Sequence, residues 1–260
     1  MAKRKSGTKL PSPYLKKLTL MREKLVGKSG YPFNLPWLEN QNFELEFTTP
    51  ITIIVGENGT GKSTLIEAIA TICGYDEAGG GKGYMPVDHS NALDKSGSEL
   101  ATILRAAWLP RVTNGWFFKA ESFFSVARYL DDAAREDPGG GPPPDFLSSS
   151  HGEGFMRFFE ERMSRQGIYF MDEPESALSP SRQVELLRIL TRIHHDANAQ
   201  IIMATHSPIL MALPNARLLE IGRLGLRETR LMDTSHFKLY QSLTADPEQF
   251  ILDELHRGDS

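Results

Sequence analysis

The spacing of apolar residues changes along the chain, and each change marks an element. In "FELEFTT" (43–49) apolar and polar residues alternate, as in a strand with one wet face, whereas "ITIIV" (51–55) is apolar throughout, as in a strand buried on both faces. From Lys62 to Cys73 the period lengthens, and Leu65, Ile66, Ile69, Ile72 and Cys73 recur at helical spacing. "GWFFKA" (115–120), "GIYFMD" (167–172), "QIIMAT" (200–205) and "RLLEIG" (217–222) read as further short strands, separated by helical stretches. Between two of them, Ser179 as N-cap and Pro180 at the first helical position open a helix running toward Ala199. Strands and helices in alternation predict an α/β fold with a mainly parallel sheet.

Two glycine-rich segments, "EAGGGKG" (77–83) and "DPGGGPPPD" (137–145), interrupt the pattern and read as surface loops. No internal repeat or sustained heptad is present, which excludes a long coiled-coil arm. Apolar content of 40% and a net charge of −4 fit a soluble globular chain with no overall attraction to nucleic acid or anionic membrane. The charge is unevenly spread, however. Nine Lys or Arg fall in the first 28 residues against one acid, Glu23, so residues 1–30 read as a solvated basic extension that is also able to touch a phosphate backbone. This segment lacks the apolar core of a signal peptide, and no run approaches the ~18 apolar residues of a membrane helix. The single cysteine, Cys73, excludes an internal disulfide and a Cys-cluster metal site, so a cytoplasmic setting without a membrane segment is expected.

Chemistry enters with "GENGTGKST", Gly56 to Thr64, which fits G-x-x-x-x-G-K-[ST] and lies between the buried strand and the helix opening at Lys62. Gly56, Gly59 and Gly61 let the backbone turn so that successive N–H groups face phosphate oxygens, and the helix N-terminus adds partial positive charge. Glu57, Asn58 and Thr60 fill the remaining loop positions. Lys62 is expected to bridge the β- and γ-phosphates, Ser63 to ligate Mg²⁺ and Thr64 to support the α-phosphate. Tyr31 reads either as an adenine-stacking ring or as a core aromatic.

In "IYFMDEPESALSP", Asp172 and Glu173 follow four residues of buried-strand character and so fall at a strand's carboxyl end, where open α/β sheets bind ligands. Polar residues ending a strand would look similar in isolation, but beside a phosphate loop the pair reads as functional. Asp172 is the expected partner of Mg²⁺, and Glu173 the base or water-orienting residue for attack on the γ-phosphate.

Together these motifs resemble the ATP-binding-cassette superfamily of ATPases, which includes transporter motor domains and SMC-like DNA-repair ATPases. "MDEPESALS" looks like its extended Walker B and D-loop, and "ATHSP" (204–208) like its switch-histidine segment, with His206 facing the γ-phosphate. The combination of "YPFNLP", "GENGTGKSTLIEAIA", "AESFF", "SHGEGF", "DEPESALSP" and "ATHSPIL" is similar to a bacterial family of small ATPases without transporter subunits or coiled-coil arms, from about Tyr31 to Leu255. The resemblance implies a P-loop NTPase with an ABC-type ATPase head. Its parts would be a mainly parallel central sheet, antiparallel N-terminal strands and a helical signature subregion over about 76–165, within one domain from 31 to 260.

One stretch is chemically ambiguous. In "SSSHGEGFMRFFEERM" (148–163) the adjacent Ser150 and His151 look like the nucleophile and base of a hydrolase, yet neighbours on one helix point about 100° apart. In the resemblance, Ser150, His151, Gly152 and Glu153 fall on the Ser-Gly-Gly-Gln of the cassette signature, whose serine and backbone N–H groups bind the γ-phosphate held by the other protomer. His151 and Glu153 depart from that pattern, and Ser179 stands where many cassettes have the D-loop aspartate. Glu121, in "KAESFF", occupies the place of the Q-loop glutamine and is either a sensor of Mg²⁺ or water or a plain surface acid.

The expected protein is therefore a Mg-ATP-dependent ATPase that works as an ATP-dependent head-to-tail homodimer, with Glu173, His206 and Lys62 as its catalytic groups. Its cycle would drive or gate a nucleic-acid-processing partner, such as a nuclease, or a defence partner. A transporter motor and a nucleotide-dependent binding module with little hydrolysis are the alternatives.

Overall fold

Cover on both faces explains the continuous apolar run of β3 (Ile51–Val55), all of whose residues are buried. It pairs in parallel with β7 (Ala199–Ala204) on one side and β8 (Arg217–Gly222) on the other. The computed structural model describes residues 10–38, 42–82, 95–120, 151–163 and 165–257. Among these, β6 (Gly167–Asp172) and β5 (Gly115–Lys119) extend the parallel sheet beyond β7, and β9 (Gly225–Glu228) adds antiparallel to β8, in the order β5-β6-β7-β3-β8-β9. The chain has an α/β fold with a mostly parallel central sheet and antiparallel strands beside it.

Alternation along each strand divides the core into two layers. Ile51, Ile53, Val55, Tyr169 and Met171 face α4 (His151–Met163) and α5 (Pro180–Asp196), meeting Phe155, Phe158, Phe159, Leu186 and Leu190. On the opposite face, Ile54, Phe170 and Ile202 meet Leu65, Ile66 and Ile69 of α2 (Lys62–Ile72). Ser179 caps α5 by accepting from the Arg182 N–H at 3.4 Å, as its sequence signal predicts. A short α1 (Arg22–Leu25) and α3 (Ser96–Ala101) flank this second layer. On the far side of the chain α6 (Pro208–Met211) follows β7, and α7 (Ser235–Ala245) and α8 (Pro247–Arg257) end the described residues.

The reading of residues 1–30 as a solvated extension does not hold for the part the structure describes. β1 (Leu15–Leu20) is the central strand of a second, antiparallel sheet, between β2 (Glu44–Glu46) and β4 (Leu104–Trp108). Tyr14, Leu15 and Leu18 are fully buried, while Lys17 lies toward solvent and pairs with Glu44 at 2.7 Å. Charge count hid an alternation with buried leucines. The described part of the first glycine-rich stretch, residues 77–82, also departs from the surface-loop reading: Ala78, Gly79 and Gly80 are buried, and Gly80 bridges to Phe117 of β5. Glycine suits this close approach, since a Cβ at Gly81 would stand 2.7 Å from the Trp116 ring. Residues 137–145 lie outside the described residues. No helix among the described residues is long and apolar enough to cross a membrane.

Gln200, fully buried on β7, joins the two sheets. Its Oε1 accepts from the N–H groups of Tyr14 and Leu15, both at 2.8 Å, and its Nε2 donates to the Leu15 carbonyl at 3.0 Å. Gln200→Leu would leave these backbone groups buried without partners, so a loss of about 3 kcal/mol is expected in urea unfolding. A midpoint equal to that of the parent chain would show that the sheets are held without this amide.

Candidate nucleotide-binding site

The register of the parallel strands places Lys119, Asp172, Ala204 and Ile54 in one row at the carboxyl edge of the sheet. From this edge the loop 56–61 leaves β3 and runs into α2. Gly56 (φ +156°) passes so close to β8 that a Cβ there would lie 2.7 Å from Ile221 Cγ2 and 2.8 Å from the Ile221 carbonyl oxygen. At Gly61 (φ +87°) a Cβ would meet Leu35 Cδ2 at 2.7 Å. Trp37, also beneath the loop, donates its indole N–H to the Thr60 carbonyl at 3.1 Å. Glu57, Asn58 and Gly59 remain exposed.

Lys62 folds back over this loop and donates from Nζ to the Glu57 carbonyl at 3.0 Å. Burial pushes its pKa down, against the pull of the carboxylates of Glu173, Asp172, Glu57 and Glu175. Ser63 donates its hydroxyl to Asp172 Oδ1 at 3.1 Å, bridging the start of α2 and the end of β6. Thr64 shares a hydrogen bond with the hydroxyl of Tyr31, whose ring is half exposed beside it.

Asp172 is buried, and desolvation raises its pKa to about 7 despite the opposing charge of Lys119; Glu67 and Glu173 push it further up. Lys119 Nζ lies 2.7 Å from Glu67 Oε1, an ion pair with both side chains nearly covered. Neither residue was singled out from the sequence. Their signal was present, though: a lysine closing the apolar run "GWFFK" and a glutamate inside "LIEAIA" both occupy positions where the pattern predicts burial.

The turn after β6 carries Glu173 in the left-handed region (φ 47°, ψ 53°), directly before Pro174. Backbone strain of this kind costs on the order of 1 kcal/mol and is characteristic of functional sites. The Glu173 N–H donates to the Ala204 carbonyl at 3.0 Å, which ties the turn to the end of β7. Glu173 Oε1 stands 3.5 Å from His206 Nε2. His206 is held through its backbone N–H, which donates to Glu175 Oε1 at 2.5 Å, and through Ser207, whose hydroxyl donates to Gln183 of α5 at 2.5 Å. Burial and nearby Lys62 lower the His206 pKa, with Glu173 opposing.

The C-terminal helices also reach this edge. Ser235 donates its hydroxyl to Glu57 Oε1 at 2.7 Å, and His236 Nε2 lies 2.9 Å from His206 Nδ1. Sequence reasoning had no signal for either contact, because it spans 178 positions in one case and 30 in the other.

Thus the residues 56–64, Asp172, Glu173 and His206 converge on one edge. Ser150 and Glu121 lie outside the described residues, as do the side chains of His151 and Glu153; the α4 backbone begins at His151. The signature subregion expected over about 76–165 falls in part outside them too. Among the described residues no group of three or more His, Cys, Asp and Glu could hold a metal ion by itself. The hydroxyl of Ser63 and carboxylate of Asp172 form an all-oxygen pair, which fits Mg²⁺ where phosphate and water supply the other ligands.

Two family models match the chain. One, described as "AAA domain", covers residues 33–105, including the whole glycine loop. The other, described as "AAA domain, putative AbiEii toxin, Type IV TA system", covers 147–212, which contains Asp172, Glu173 and His206. No curated protein matches the chain. Among solved structures it is similar to the SMC head domain from Thermotoga maritima, at 18% identity over 84% of this chain and 100% of that one, with a TM-score of 0.45. It is also similar to cbiO1 from Clostridium perfringens, part of the ABC transporter complex cbiONQ, at 14% identity over 93% and 100%, with a TM-score of 0.47.

The buried ammonium of Lys119 has a measurable role. Lys119→Met would remove the ammonium that pairs with Glu67 and opposes the rise in the Asp172 pKa, and a loss of about 3 kcal/mol is expected in urea unfolding. Adding Glu67→Gln should recover part of it. Equal stability of the single variant and parent would refute this charge balance.

Proposed function

We propose that the chain, which two AAA-domain family models match over residues 33–105 and 147–212, is an AAA/ABC-type P-loop ATPase that hydrolyses Mg-ATP at the edge formed by residues 56–64, Asp172, Glu173 and His206, between two copies closed head to tail. The observation that carries this reading is the convergence on one sheet edge of Lys62, the Ser63–Asp172 bridge and the Glu173–His206 pair.

In this reading the N–H groups of the glycine loop and the start of α2 donate to phosphate oxygens, and Lys62 moves from the Glu57 carbonyl to the β- and γ-phosphates. Ser63 and Asp172 would hold Mg²⁺, which would neutralise phosphate charge. Glu173 takes the proton of the attacking water as the new O–P bond forms and the bond from the γ-phosphorus to the ADP oxygen breaks. His206 donates a hydrogen bond to the γ-phosphate. Ser150, with the backbone at His151, Gly152 and Glu153, completes the site from the start of α4 in the second copy; Glu121 monitors Mg²⁺ or water. The ATPase domain then includes β1, and the setting is the cytoplasm, where ATP is supplied.

The same cycle would drive or gate a nucleic-acid-processing or defence partner. Support comes from the description of the second family model, which names a toxin of a toxin–antitoxin system.

Glu173→Gln is expected to lower phosphate release at least about a hundredfold while nucleotide still binds. In Mg-ATP this variant should have twice the solution mass it has without nucleotide, and Ser150→Ala in the same background should remain a monomer. Unchanged hydrolysis would refute the role of Glu173, and a nucleotide-bound monomer would refute the shared site.

A further inference from the structure

We propose that His236 is a positioning residue for ATP hydrolysis, determining which nitrogen of His206 carries the proton so that His206 presents an N–H to Glu173 and the γ-phosphate. The proposal rests on the reading of His206 given above and adds a residue from a different part of the chain.

The two ring nitrogens of His206 have different surroundings. Nδ1 is 2.9 Å from His236 Nε2, while Nε2 is buried without a hydrogen-bond partner among the described residues, 3.5 Å from Glu173 Oε1. A hydrogen bond between two imidazoles holds one proton, donated by one ring and accepted by the other. Were that proton on His206 Nδ1, the lone pair of Nε2 would point at the Glu173 carboxylate and at an incoming phosphate, an unfavourable meeting of acceptors. With the proton on His236 Nε2, His206 accepts at Nδ1 and its own proton sits on Nε2, aimed at both anions. The acidic side of the ring therefore selects the arrangement in which His236 donates.

Burial and the charge of Lys62 lower the His206 pKa, while Glu173 and Glu57 oppose that shift. His206 faces Lys62 from α2, Glu57 from the glycine loop, Glu173 and Glu175 from the turn after β6, and His236 from α7. The lowered pKa disfavours a second proton on the ring. A neutral imidazole that presents its Nε2–H toward Glu173 leaves Nδ1 unprotonated, and a donor at His236 stabilises that tautomer.

His236 is itself well held. Thr234, fully buried, caps α7 by accepting from the Phe237 N–H at 3.2 Å and donates to the Leu231 carbonyl at 2.7 Å. Ser235 anchors the same turn to Glu57. The ring of His236 is tilted 53° to that of His206 with centroids 5.1 Å apart, an edge contact through nitrogen and not a stack.

The test uses the full chain with three variants. His236→Phe keeps a ring and removes both nitrogens, and should lower kcat about tenfold with KM for ATP unchanged. His236→Gln returns an N–H that does not titrate and should restore most of that loss. Long-range ¹H–¹⁵N spectra of histidine-labelled protein without nucleotide read the tautomer directly, the His206 signals being those lost in His206→Gln. The parent chain should show His206 protonated at Nε2, and His236→Phe should shift it to a mixture. Wild-type kcat in His236→Phe while Glu173→Gln is inactive, or a parent spectrum with the His206 proton on Nδ1, would overturn the proposal. If neither variant changes hydrolysis, the reading of the site has failed instead. The spectra then decide the tautomer claim alone, supporting it only if the Nε2–H form is lost in His236→Phe.

Discussion

Strand register is the constraint from which the site follows. Because β5, β6, β7 and β3 run parallel and in step, Lys119, Asp172, Ala204 and Ile54 end level with one another, and every loop that leaves them opens on the same side. A slip of one residue on β6 would turn Asp172 to the other face of the sheet and separate it from Ser63. Ala204, between β6 and β3 in this row, carries only a methyl group. The backbone bonds at its end, Glu173 N–H to the Ala204 carbonyl and Thr205 N–H to the Ile54 carbonyl, lock the acidic turn and the histidine loop to the strand that feeds the glycine loop.

The same edge concentrates charge under little solvent, and the balance of signs decides which groups stay ionised. Lys119 and Glu67 neutralise each other next to Asp172, whose pKa still rises to about 7 because burial outweighs the opposing charge of Lys119. Burial pushes the Lys62 pKa down, and four nearby carboxylates oppose that shift. A site arranged like this is short of positive charge without a cation beside Asp172, and well supplied with acceptors around Glu173 and His206. The orientation of His206 belongs to the same balance, since its two nitrogens face groups of different character.

Elements far away in sequence brace this edge. Trp37 and Leu35 lie under the glycine loop, Gln183 of α5 holds Ser207, and the first turn of α7 touches both Glu57 and His206. Gln200 performs a similar service for the fold, joining the antiparallel sheet to the parallel one through backbone groups of Tyr14 and Leu15. The C-terminal helices are therefore more than an appendage: their first turn touches the glycine loop and His206.

Local pattern was enough to establish the strands from Ile51, Gly115, Gly167, Ala199 and Arg217, the helices from Lys62 and Pro180, and the glycine loop with its acids, because each depends on periodicity, turn chemistry or a short fixed spacing. β1 escaped because lysines on its wet face dominated the charge count, and the buried glycines at 79 and 80 escaped because glycine marks close approach as readily as a turn. The pairing of Lys119 with Glu67, the bracing by Trp37 and the contacts of Ser235 and His236 were beyond reach for a different reason. Each joins segments whose distance along the chain carries no local signal, and only packing of the finished layers brings them within hydrogen-bonding range. The chain alone thus determined which chemical groups stand at the ends of its strands; the tertiary structure decided which charges neutralise them and which side chains hold them in place.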